Sequence, residues 1–337
     1  MTRRRTAVGL SLLGALSLAV NPAAPVPSTR IPLKVLYGRY LTYAPLAIAR
    51  AEGFFSAQGL DVEFVHLTTS TEATPLLMQG EIDVAAGFLK IADFNAIARG
   101  ASLRFVADKG SFAPESCVSS AFVARPEFLK TKNPDIAEDL RGVRVAATPL
   151  SFSEYLLETF LASKGLRLSD VDLVKLPEAT AADALMKGSL DFLHLGEPFL
   201  TRVVRSGRAV LWKSVVEILP GGQIAAILYG PNLLTRNREA GRRFMVAYLQ
   251  GVRQYNRGKT PRNVEIVSKE TGLDAGLVRE TCWQPIRGDG RINVASVLDF
   301  ERWAVRRGLL DAPLPPEKFW DPFFVEEAGR ALGPTAP

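Results

Sequence analysis

The chain has 337 residues, 47% hydrophobic and 23% charged, with 41 Lys and Arg against 35 Asp and Glu. That is enough apolar material for two cores of ordinary domain size, and it excludes a disordered or fibrous chain. Residues 1–24 hold Arg3, Arg4 and Arg5 and no acid, so setting them aside lowers the net charge from +6 to +3. The remaining basic residues are scattered rather than clustered with aromatics, which argues against a nucleic-acid partner.

In chain order, residues 1–24 read as a cleaved secretory signal: three arginines, an apolar run from Ala7 to Val20, then prolines to Pro27. Thr2 to Arg5 also resembles a twin-arginine signal. No cysteine precedes Cys117, which argues against a lipid-modified N-terminal cysteine. A periplasmic location is expected.

Residues 33–38 read as a strand, 39–43 as a loop, and 45–52 as a helix with proline in its first turn. A strand at 60–65, a Thr/Ala-rich helix at 68–79 and a strand at 82–88 follow. Residues 77–84 then recur as residues 185–192: Leu-Met-Gln-Gly-Glu-Ile-Asp-Val becomes Leu-Met-Lys-Gly-Ser-Leu-Asp-Phe. The second copy has the same setting, a strand at 171–174, a helix at 178–187 and a strand at 190–195. A repeat present only twice predicts two similar lobes rather than a solenoid.

Between the copies come strands at 103–107 and 121–124, a segment at 140–146 that opens the second lobe's first strand, and a helix at 153–164. Gly221-Gly222-Gln223 reads as the return crossing, leading into a strand at 224–229. Helices at 239–256 and 261–271 and mostly helical stretches at 294–309 and 319–331 complete the chain. Alternating β and α elements predict parallel sheets with helices on both faces.

The boundaries expected are 1–24 signal, 25–118 plus 223–337 lobe one, and 119–222 lobe two. Cys117 and Cys282, the two cysteines, could pair, but two free buried thiols are the reading favoured here. His66 and His194, the two histidines, read as sheet residues. No metal-ligand cluster, nucleophile–base pair or phosphate loop stands out, so neither catalysis nor a cofactor is expected.

Several stretches resemble the ABC-transporter substrate-binding proteins of the nitrate, taurine and aliphatic-sulfonate family, which include binders of thiamine-pyrimidine precursors. They are residues 44–55 with their Gly-Phe-Phe end, Gly59 to Glu63, Asp139 to Val145, and Gly188 to Asp191 running into Glu197-Pro198-Phe199. The resemblance covers residues 33–330. It implies an α/β, two-lobe periplasmic-binding-protein fold, each lobe a doubly wound, mostly parallel sheet, joined by two hinge crossings. It also implies a small-molecule solute and an ABC permease at the inner membrane as partners. Members often carry Trp before the acidic-Pro corner; here the residue is Gly196, so ligand identity should not be copied from those relatives.

Ligands of doubly wound sheets lie beyond the carboxyl ends of strands, against helix N-termini. That rule selects Arg39, Tyr40 and Tyr43 after the first strand, Thr69 and Ser70 at a helix start, and Phe88 after the first repeat. In the second lobe it selects Ser151 and Ser153 at a helix start, and Glu197 after the second repeat. Arg39 and the hydroxyl-rich helix starts suit a small organic anion such as a sulfonate or aromatic carboxylate. The tyrosines, Phe88 and Glu197 suit the alternative, a heteroaromatic vitamin or pyrimidine precursor. A ligand-sensing adaptor is the remaining alternative, and a monomer is expected.

Overall fold

The structure, a computed structural model, describes residues 30–38, 40–67, 72–113, 116–284 and 286–334. The expected signal and Arg39, Thr69 and Ser70 lie outside the described residues. Among the described residues no helix is long and apolar enough to cross a membrane.

Among the described residues ten strands form two five-stranded sheets of matching design. The first holds β1 (Ile31–Leu36), β2 (Leu60–Val65), β3 (Val84–Phe88), β4 (Arg104–Ser111) and β10 (Gln223–Tyr229) in the order β2-β1-β3-β10-β4. The second holds β5 (Ser120–Ala124), β6 (Arg144–Ala147), β7 (Asp172–Lys175), β8 (Phe192–Gly196) and β9 (Val210–Ser214) in the order β7-β6-β8-β5-β9. In each sheet the fourth strand in that order runs antiparallel to both its neighbours. The antiparallel members, β10 and β5, are the strands that enter from a crossing between sheets. The second sheet therefore begins at Ser120, ahead of the segment at 140–146 expected to open it.

The repeated residues have the same work in both copies. Gly80 and Gly188 close α2 (Ala73–Gln79) and α5 (Glu178–Met186) with φ of 78° and 83°, a region that favours glycine. Asp83 then binds the neighbouring strand twice, its amide to Lys34 O and its carboxylate to Lys34 N, both within 2.8 Å. Asp191 does the same at Arg144, through its amide at 2.8 Å and its carboxylate to Arg144 N at 3.3 Å. Each copy is thus a helix stop followed by a clip that registers the next strand against the first strand of its own βαβ unit. His194 lies on β8 and His66 just past β2, so the two occupy different steps of the repeat.

Two features depart from expectation. Cys117 and Cys282 form a disulfide across 165 residues of sequence, so neither is a free thiol. And the two sheets are joined by more than their crossings. A continuous apolar cluster runs from Phe94 and Phe105 beside the first sheet, through Phe300 and Tyr155, to Phe160 and Phe192 beside the second. Tyr155 belongs to α4 (Phe152–Ala162) and Phe300 to α9 (Val294–Arg306), which brings the C-terminal part of the chain against the second sheet's helix. Sequence patterning marks residues 294–309 as mostly helical without saying which lobe their apolar stripe meets.

Candidate functional site

The ends of β1, β3, β6 and β8 point into the space between the sheets. After β1, Tyr40 precedes a single helical turn (Leu41–Tyr43) that runs into α1 (Ala44–Ala51), with Pro45 fixing its first turn. Gly38 is required before that turn, since a Cβ there would lie 2.9 Å from the Tyr43 ring. Tyr43 is buried, and its ring packs 3.7 Å from the Nζ of Lys109 on β4. Lys109 is fully buried, donates to Thr42 Oγ1 at 2.9 Å and lies 5.2 Å from the Phe88 ring centroid. Burial holds this amine well below its ordinary pKa, with Asp108 opposing the shift. Asp108 is itself pushed up by burial, against hydrogen bonds from the amides of Arg287 and Gly110 and from Gln223 Nε2 at 2.8, 2.7 and 2.6 Å.

Tyr40 bridges the lobes. Its ring meets Phe88 edge-on at 4.9 Å on one side and Phe199 at 5.5 Å on the other. Phe199 opens α6 (Phe199–Arg205) directly after the cis Glu197–Pro198 bond. Three aromatic rings therefore line one wall-to-wall contact, built from both sheets.

The second lobe adds a carboxyl beside them. Glu178, the first residue of α5, accepts the Gly196 amide, and a Cβ at Gly196 would lie 3.5 Å from its Oε1. Burial, with the nearby Glu197 charge, raises the Glu178 carboxyl to about 7 against the Gly196 hydrogen bond. Beneath it, Ser120 Oγ and His194 Nε2 are 2.6 Å apart and buried, while His194 Nδ1 has no partner. Burial lowers this imidazole to about 4, so the neutral ring is a packed strand residue with no third group orienting it.

The sequence-selected residues divide. Tyr40, Tyr43 and Phe88 come together as expected. Ser151 caps α4, accepting from the Ser153 amide at 3.2 Å and donating to Thr148 O at 2.7 Å; Ser153 contributes that amide. Glu197 is buried and turned toward the crossing: it accepts from the Thr201 hydroxyl at 2.6 Å, the Thr201 amide at 3.1 Å and the Cys282 amide at 3.2 Å. Lys109, Glu178 and Phe199 were not selected. The signal for Lys109 was present: Asp-Lys inside an apolar strand is a pair that must be buried with partners. A cavity of about 380 Å³ lies elsewhere, behind the crossings, lined by Cys117, Cys282, Glu197, Leu200 and Lys259 among others. Through Glu197 and Leu200 it adjoins the start of α6, on either side of Pro198 and Phe199 in sequence.

Two matching sheets, their strand ends facing across a seam lined from both sides, define a two-lobe solute-binding fold. The chain belongs to the NMT1-like family, which it matches over residues 27–264. A Brucella abortus protein named for a binding role is 22% identical over 277 residues, 81% of this chain and 80% of that protein. The fold is shared with the periplasmic nitrate-binding protein NrtA of Synechocystis PCC 6803: TM-score 0.72, 16% identity, 90% of this chain and 89% of that one. It is shared also with the alkanesulfonate-binding protein SsuA of Xanthomonas axonopodis pv. citri, solved bound to MOPS: TM-score 0.66, 18% identity, 87% and 98% covered. The desulfurization enzyme DSZB has the fold too, at TM-score 0.63 and 13% identity over 90% of this chain and 100% of that one.

Proposed function

We propose that the protein is an exported solute-binding protein that captures a small organic molecule between its lobes and delivers it to an ABC permease. The observation that carries this is the Phe88–Tyr40–Phe199 stack, which draws on both lobes at the carboxyl ends of their strands, where ligands of such sheets bind. Lobe one is 25–118 with 223–337, and lobe two is 119–222. The protein acts as a monomer in the periplasm, without catalysis.

An organic anion is the first choice of solute. Among the described residues the basic group beside the rings is Lys109, seated under Tyr43 and Phe88; in sequence, Arg39 follows β1, and Thr69 and Ser70 follow β2. The second reading, a heteroaromatic solute such as a pyrimidine precursor, is favoured by Glu178, whose carboxyl can meet a ring N–H opposite the aromatic stack.

A thermal-shift panel of sulfonates, aromatic carboxylates and aminopyrimidines tests both, because a ligand specific to the folded state raises its melting temperature. The shift from the responding class should fall in Phe88→Ala and Phe199→Ala. A shift that survives both substitutions places binding outside this cleft. A response to anions alone, undiminished by Glu178→Gln, rejects the second reading.

A further inference from the structure

The two lobes are related by their strand orders: β1 corresponds to β6, and β3 to β8. The seam therefore has two equivalent contacts. One joins the loop after β3 to the loop after β6; the other joins the loop after β8 to the loop after β1. They are built very differently.

The first is fastened. Leu89 O accepts the Phe152 amide and Leu150 O accepts the Ile91 amide, both at 3.2 Å, with Leu150 held at a φ of 54°. Directly behind it, α9 clasps α4. Trp303 Nε1 donates to Glu158 at 2.9 Å, and Arg307 pairs with both Glu158 and Glu154. The Tyr155 ring sits 5.5 Å from both Phe300 and Trp303, all three buried. The second contact is one edge-on ring pair, Tyr40 with Phe199. Beside it, Glu197, two residues before Phe199, accepts the Cys282 amide, and Arg205 at the other end of α6 pairs with Glu280 on the surface, both close to the crossing at Cys117. Among the described residues no backbone bridge and no helix clasp fastens the rings themselves.

We propose that the α4–α9 clasp with its backbone bridge is a permanent third connection between the lobes, so that the cleft opens by rotation about that edge and solute passes where Tyr40 parts from Phe199. An apolar, hydrogen-bonded contact opens rarely, whereas a lone ring edge separates with the motion of its loop. The expected cleft motion is thus a one-sided swing rather than a symmetric parting, with only the Tyr40 side exchanging with solvent.

Amide hydrogen exchange of the full empty chain decides this. The amides of Ile91 and Phe152 should exchange at least about a hundredfold slower than an unstructured chain. In Glu158→Gln/Arg307→Met they should speed by about tenfold or more, while β1 and β6 keep their protection. Tyr40→Ala should leave Ile91 and Phe152 slow and speed exchange over residues 40–43. If the clasp double variant also loses protection in β1 and β6, Trp303→Phe, which keeps a ring in place and removes one hydrogen bond, takes its place with the same reading. Loop-rate exchange at Ile91 and Phe152 in the unmodified protein overturns the proposal. So does protection that survives loss of the clasp, or that Tyr40→Ala removes.

Discussion

Glu178 shows how burial sets the chemistry of a carboxyl. It accepts the Gly196 amide, and burial raises its pKa to about 7 against that hydrogen bond. The folded state consequently holds a proton that the unfolded state releases at lower pH. Between the ordinary carboxylate range and pH 7, stability from this group falls as pH rises. This group therefore lowers the melting temperature of the empty protein from about pH 5 to pH 7, against the rise that buried His194, lowered to about 4, contributes over the same range, and Glu178→Gln should make the slope less negative. Part of the slope will remain, because burial raises Glu301 to about 7 as well. A variant whose profile keeps the full slope would exclude Glu178 as its source. Ser151 makes a plainer case. Its hydroxyl caps α4, so Ser151→Ala should destabilise the empty protein by about 1 kcal/mol, read by denaturant titration.

At the scale of elements, the sequence made most of the architecture legible. Period, capping residues and the repeat located β1 to β3 and α2, and again β7, β8 and α5, because each copy carries its own stop glycine and clip aspartate. Strand direction was less legible. β5 and β10 run antiparallel because each enters its sheet from a crossing, a matter of long-range path that no local pattern encodes. Of the candidate site, Tyr40, Tyr43 and Phe88 were legible from strand-end logic. Glu178 was not, since its place depends on a hydrogen bond to the backbone amide of Gly196, eighteen residues further on. Ser151 and Glu197 were read as ligand-facing because a cap and a buried hinge carboxyl look the same in sequence as binding groups. The disulfide was illegible for a similar reason: Cys117 and Cys282 are brought together only by the return of the chain to the first lobe. At a sequence separation of 165, the bridge should contribute about 2–4 kcal/mol, and chain entropy alone would allow about 5 kcal/mol. Thiol counting under denaturing, non-reducing conditions should find none free, and reduction should lower the melting temperature. Two free thiols, or an unchanged melting temperature, would contradict the pairing.

The whole molecule is two similar lobes made mechanically unequal. Strand order alone would let them part evenly, but α9, supplied by the last part of the chain, binds α4 on one side. Binding of the true solute should still draw the lobes together, and small-angle scattering should show the radius of gyration shrink. Only a difference in affinity between open and closed forms can drive that change.

The disulfide also has a consequence for resistance to proteolysis. It closes a covalent ring that contains all of β5 to β10 as well as α7 (Arg238–Tyr255) and α8 (Pro261–Thr271). A protease that nicks an exposed turn in this ring, such as the one at Ser206 and Gly207, cuts the polypeptide without releasing either piece. Nicked protein should therefore migrate as one intact species on a non-reducing denaturing gel and fall into two fragments only after a thiol is added.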